Sequence, residues 1–134
     1  MNIRIGSAVI ALAVFLAAES LRAHHSLTPG FDLSKKVAVV GTLAKVDWRN
    51  PHIGLSLDAK GDRGQAEAWV IEAYPPSYFR SHNLSKSDFE KAIGQIVTVE
   101  VVRAKDGSLY GYLQKITFPD GKAVRLTDLV TAGP

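Results

Sequence analysis

VAVVGTLAKVDW, residues 37–48, decides the fold of this chain. Valines dominate its first half, and Val40, Ala44, Val46 and Trp48 put apolar groups on even positions while Lys45 and Asp47 take odd ones. A period of two marks a strand with one buried face, here the even one. Gly41 in its middle predicts a bulge or a sharp bend. Asn50-Pro51 ends the strand, because the residue before proline is pushed away from the helical region and proline has no amide to donate.

Beyond that break the same period returns. HIGLSLD, 52–58, sets Ile53, Leu55 and Leu57 on one face and His52, Gly54, Ser56 and Asp58 on the other. Residues 60–64, KGDRG, form a glycine-rich hairpin turn. QAEAWVIEAY, 65–74, is a third strand centred on Trp69, Val70 and Ile71, and Pro75-Pro76 ends it. One helix follows, with Ser85 as its cap, Asp88 in its first turn, Phe89, Ala92 and Ile93 on one face and Gly94 as its stop. QIVTVEVVRA (95–104) is a strand with Val97, Val99 and Val101 on one face, and Asp106-Gly107 turns the chain. LYGYLQKITF (109–118) is the next strand, and AVRLTDL (123–129) is a short last one.

Three strands, a helix and two or three more strands define an all-β chain with one short helix. That order is the order of an OB-fold, a small barrel of five to six strands with its helix between the third and fourth. A long first strand bent at a glycine suits such a barrel, because it must serve both halves. A β-sandwich is the alternative, and a single helix in mid-chain argues against it.

Upstream, the chain does not read as core. Arg4 gives a short positive start, and IGSAVIALAVFLAA (5–18) is apolar apart from Ser7 and Gly6. Small residues lead on to Ala23. This is the pattern of a secretory signal peptide. Its apolar run falls short of the ~20 residues a membrane-spanning helix needs, which disfavours an uncleaved anchor. Cleavage after Ala23 is preferred over cleavage after Ser20. The expected organisation is a signal peptide over 1–23 and a single domain over 24–134, exported to a bacterial periplasm or to the cell exterior, with no stable membrane span after processing.

The whole chain carries 16 Lys and Arg against 13 Asp and Glu. Removing Arg4, Arg22 and Glu19 with the leader leaves a mild positive balance, too small to argue for a nucleic acid partner. There is no cysteine. An exported domain without disulfides is held by its core alone, and thiolate metal sites and thiol redox chemistry are excluded.

The chemistry therefore falls to four histidines, His24, His25, His52 and His82. Cleavage after Ala23 gives His24 both an α-amino nitrogen and an imidazole, two donors that chelate one metal ion. His25 or His52 would add another imidazole. Nitrogen donors of this kind suit Cu or Zn. Glu72 is the carboxylate to serve as a ligand or as an outer-shell acceptor. The plainer reading makes the paired histidines a solvated tail and His52 a barrel-corner residue in a turn shaped by Asn50. Trp48 and Trp69 read as core or rim aromatics. Tyr110 and Tyr112 read as braces of the sheet or as a stacking platform. Asp47 and Glu72 are a candidate carboxylate pair. No nucleophile elbow, phosphate-cradling loop or zinc-protease helix occurs.

Taken together, Ala23-His24-His25-Ser26, Phe31-Asp32, Gly41-Thr42, Val46-x-Trp48-x-Asn50-Pro51-His52, Trp69-x-x-Glu72 and Arg103–Ser108 give the chain a likeness to known sequences. It resembles a family of small exported bacterial proteins of unknown function, marked by "AHHS" after the signal peptide and an "NPH" turn. The resemblance implies an exported OB-like barrel and brings no activity. It groups His24, His25, Trp48, Asn50, His52 and Glu72 as one constellation. The chain departs from the family pattern at Phe79–Asn83, where Asn83 stands in for a turn glycine, and His82 is incidental.

The function expected is a non-enzymatic binding module for a small ligand or a periplasmic protein, with Trp48, Asn50, His52 and Glu72 at the ligand. The alternative is a copper- or zinc-binding protein using His24, His25 and His52. A metal-dependent hydrolase or oxidase ranks last, because no general base has a defined geometry.

Overall fold

The computed structural model describes residues 29–126. Strand β1 spans Phe31–Asp47, β2 Gly54–Lys60 and β3 Ala66–Glu72. Two short helices follow, α1 over Pro76–Ser81 and α2 over Lys86–Lys91. The chain then runs through β4 (Ile96–Ala104), β5 (Tyr110–Thr117) and β6 (Ala123–Arg125). The strands lie in the order β3-β2-β1-β4-β5-β6, and an extra pairing of β3 with β5 closes the ring. That closing pair is parallel, and the others are antiparallel. A closed five-stranded barrel with its helices between β3 and β4 is an OB-fold, and the closure rules out the sandwich.

The long first strand does serve both halves. It pairs with β4 from Phe31 to Thr42 and with β2 from Gly41 to Asp47. Gly41 and Thr42 have register partners on both sides. At Gly41 the backbone comes so close that an added Cβ would sit 2.7 Å from the Asp58 carbonyl oxygen. The glycine is thus required by close approach. The bulge itself falls later, where the register shifts between Leu43 and Lys45.

That bulge corrects the expected inner face. Val39 and Leu43 are buried, and Val40 is exposed. The extra residue, Ala44, flips the parity, so inward positions are odd before it and even after it. The half-buried Val46 and Trp48 belong to the second phase. Elsewhere the alternation holds. Ile53, Leu55 and Leu57 face the core, as do Trp69 and Ile71 and the three valines Val97, Val99 and Val101. Val70, between Trp69 and Ile71, points outward.

The single expected helix is two. Pro75-Pro76 ends β3 and also starts α1, with proline in the first turn, where its missing amide costs nothing. The second helix keeps its expected signals. Ser85 and Asp88 form a reciprocal capping box, and Gly94 takes a positive φ of 82° after the helix ends. Ile93 lies beyond α2 and is exposed, so it does not share the buried face of Phe89 and Ala92. Asn83 adopts φ 57°, the left-handed conformation expected of a residue standing in for glycine. The helices seat Phe79 and Phe89 over one end of the barrel, where Trp48 and Phe118 meet Phe89 at 5.3 and 5.2 Å between ring centroids. Among the described residues, no helix is long and apolar enough to cross a membrane.

Candidate functional site

The β1–β2 turn carries His52. The Asn50-Pro51 peptide is cis, and Ile53 exchanges backbone hydrogen bonds with Ala73 and Tyr74 at the end of β3. These bonds fix the turn against the strand that bears Glu72. Gly54 is the register partner of Glu72, so His52, one strand repeat earlier, arrives on the same outward side.

There the two side chains meet. His52 Nδ1 contacts Glu72 Oε1, and the Tyr110 hydroxyl donates to Glu72 Oε2. A carboxylate only accepts, so Nδ1 carries a proton, and Nε2 is the nitrogen turned away from Glu72. Among the described residues Nε2 has no hydrogen-bond partner. The His52 side chain is 43% exposed and that of Glu72 27%. A contact this open contributes at most about 1 kcal/mol to stability. Its effect is to orient the imidazole.

Around them lies a recess of about 260 Å³, lined by the turn Arg49–Gly54 and by Asp47, Val70, Glu72 and Tyr110. Asp47 is paired with Arg49 at 2.9 Å, and Glu72 is held by His52 and Tyr110, so both carboxylates line the recess with separate partners. Asn50 contributes to the wall. Trp48 does not: it turns to the helical end of the barrel and packs on Phe79 and Phe89. His82 stacks on Tyr78 at 4.2 Å. His24 and His25 lie outside the described residues, as do the expected signal peptide and residues 127–129 of the expected last strand. Among the described residues no three His, Cys, Asp or Glu side chains form a metal-binding group.

Behind the recess runs a seam of rings on the outer side of the barrel. Tyr112 is 2% exposed, enclosed by Phe31 at 5.6 Å, Tyr74 at 5.7 Å and His52 at 6.1 Å between ring centroids. Phe31 also meets Tyr110 at 5.4 Å. Tyr112 therefore braces the site and offers no face for stacking. Sequence reasoning paired Glu72 with no tyrosine. The signal was available only through topology, since the parallel β3–β5 closure sets Val70 beside Tyr110 and Glu72 beside Tyr112.

Both phenols are held neutral. Burial, then the hydrogen bond to Glu72 and its charge, push Tyr110 up to about 12. Burial, then the neighbouring Tyr74, Glu72 and Tyr110, push Tyr112 up as well. The protonated phenol is favoured in the fold, so this stabilisation is complete below the ordinary tyrosine value near 10 and is lost as pH rises through about 12. In an absorbance titration, Tyr110 and Tyr112 are expected to ionise above the ordinary tyrosine range. Tyr110→Phe should remove one late step, and Glu72→Gln should move that step to lower pH. An unchanged late phase in both variants would contradict this geometry.

The site sits on the outer face of β2 and β3 beside the β1–β2 loop, the surface on which OB-folds take their ligands. The class is thus an OB-fold barrel with a histidine-carboxylate-tyrosine cluster on its outer face. The model of a "Family of unknown function (DUF6152)" matches residues 11–114, and the chain belongs to this family. No curated protein matches the chain. Among solved structures, the mitochondrial single-stranded DNA binding protein Rim1 of S. cerevisiae is similar at 19% identity, covering 63% of this chain and 94% of that one, with a TM-score of 0.45.

Proposed function

We propose that this protein is an exported, non-enzymatic binding module that takes a small ligand on the outer face of its barrel, in the recess walled by Asn50, His52 and Glu72. The leader, residues 1–23, is removed on the way to the periplasm or cell exterior. The observation that supports this reading is the half-exposed imidazole whose Nδ1 is fixed by Glu72 and whose Nε2 has no partner among the described residues. A free, oriented acceptor in a recess is a recognition group. The surrounding charge is mixed, Arg49 with Asp47 and His52 with Glu72, which suits a small polar ligand better than a polyanion.

A second reading rests on the same imidazole. A histidine with one ring nitrogen on a carboxylate and the other free is arranged as metal-ligating histidines are. In this reading the protein binds copper or zinc, with His52 joined by His24 and His25.

The test is an NMR titration of the processed protein with Cu(II) and Zn(II), beside His52→Ala, with intact mass to define the mature terminus. Tight uptake by the parent and loss in the variant is expected under the metal reading. Equal, weak uptake by both removes it. Ring signals of His52 that stay unmoved across metal ions and a panel of small polar compounds would count against the recess as a binding site.

A further inference from the structure

β1 is paired further along one side than along the other. Its register with β4 runs unbroken from Lys36 to Thr42, while its register with β2 begins only at Gly41. The Leu43 amide donates to the Gln95 carbonyl, and the Leu43 carbonyl accepts from Gly94, so Leu43 addresses the β4 side. Hydrogen-bonding direction alternates along an antiparallel strand, so Val37, Val39 and Gly41 also address β4. Lys36, Ala38 and Val40 turn their amides to the opposite side. Lys36 and Ala38 have no register partner there among the described residues. A groove of about 430 Å³ runs along this open edge, between Val37–Val40 and the β2–β3 turn. It shares no lining residue with the recess at His52. Its inner wall holds the buried Val39 and Trp69, with the Arg103 guanidinium over the indole at 5.5 Å. On the outer side Val40 is 58% exposed. The rim is basic: Lys36, Lys60 and Arg63 are exposed and join no ion pair among the described residues. Asp62 and Glu67 oppose them, but both Glu67 oxygens already accept, from the Gln65 amide and the Trp69 indole.

We propose that this edge of β1 is a docking site for an extended segment of a partner polypeptide, added as a strand, and that the segment alternates apolar and acidic residues. Unpaired backbone groups along a strand edge select another extended backbone. Side chains of a strand added there point alternately to its two faces. One set meets Val39 and Trp69, which suits apolar residues. The other set meets Lys36, Lys60 and Arg63, which suits carboxylates. A second copy of this chain is the poorer occupant, because it brings the same basic rim against itself. The site is independent of the recess and of any ligand bound there.

The probe is a capped peptide of alternating valine and glutamate, about six residues long, a typical strand length. Titrated into isotope-labelled protein, it should shift the amide signals of Lys36, Ala38 and Val40 and slow their hydrogen exchange. The same peptide methylated on alternate amide nitrogens, so that its pairing edge cannot donate, should not bind. An alternating valine and lysine peptide should bind roughly 10-fold more weakly, and Lys60→Glu with Arg63→Glu should reverse that preference. Ala38→Pro deletes one amide on the open side, where proline is tolerated at a strand edge, and should weaken binding about 10-fold, the effect of one backbone hydrogen bond. Its melting temperature checks that β1 is intact, and the methylated peptide tests the same bonds with the protein unaltered. Equal binding of the methylated peptide would overturn strand addition, and equal binding of the lysine peptide would overturn the acidic preference. An edge whose signals respond to no peptide, or respond only to raised protein concentration, as a second copy would make them do, would overturn the proposal as a whole.

Discussion

Phe89→Ala is expected to lower the melting temperature by roughly 15–30 °C, the largest single effect of any side-chain truncation considered. Phe89 is fully buried. It is the shared neighbour of three rings: Trp48 at 5.3 Å, Phe79 at 5.2 Å and Phe118 at 5.2 Å. Those rings come from the end of β1, from α1 and from the end of β5. Removing the fourth leaves a cavity that none of the three can fill without moving its own element. Truncating a buried phenylalanine costs about 3–5 kcal/mol, and offset or edge-on ring pairs add to simple burial. A domain without disulfides, whose total stability is on the order of 5–15 kcal/mol, tolerates such a loss poorly. Trp48→Ala removes two ring contacts, with Phe79 and Phe89, from a half-buried position, so roughly 2 kcal/mol is expected, with metal uptake unaffected because Trp48 does not line the recess. Thermal melts by circular dichroism check both. A Phe89→Ala melt within a few degrees of the parent would show that the helices do not close this end of the barrel.

The fold was legible because barrel strands leave a local trace. Alternation at 53–57 and 97–101, the capping pair Ser85 and Asp88, and Asn83 in place of a glycine each depend on neighbours a few residues away. The face of β1 was misread for a reason of the same kind. Ala44 looks like any other strand residue, and nothing local announces that it is the one left over in the pairing with β2. The site was legible only in part. Asn50, His52 and Glu72 do converge, across one register of β2 with β3. Tyr110 lies 38 residues from Glu72, and only the parallel closure of β3 on β5 joins them. The placement of Trp48 on the helical end could not be read either, because it depends on where α1 and α2 set their phenylalanines.

Gly41→Val is the second large effect, expected to destabilise by about 3 kcal/mol through overpacking, with Gly41→Ala losing about 1–3 kcal/mol. β1 hands over from β4 to β2 at this residue, so its backbone is hydrogen-bonded toward both neighbours and cannot shift toward either. A Cβ here would stand 2.7 Å from the Asp58 carbonyl oxygen and 3.1 Å from the Ala59 Cβ. The first of these is backbone, which yields only by pulling β2 away from β1. The recess lies at the far end of that same β1–β2 pairing, where Asp47 opposes Gly54, so strain at Gly41 should loosen the turn that carries His52. Gly54→Ala is the control: its Cβ would meet nothing nearer than the Asp47 Cβ at 3.6 Å, an ordinary contact, and a change within about 0.5 kcal/mol is expected. Urea unfolding midpoints rank the three variants. If Gly41→Ala unfolded at the parent's midpoint, the strand crossing would have room for a side chain, and the bend in β1 would owe nothing to its glycine.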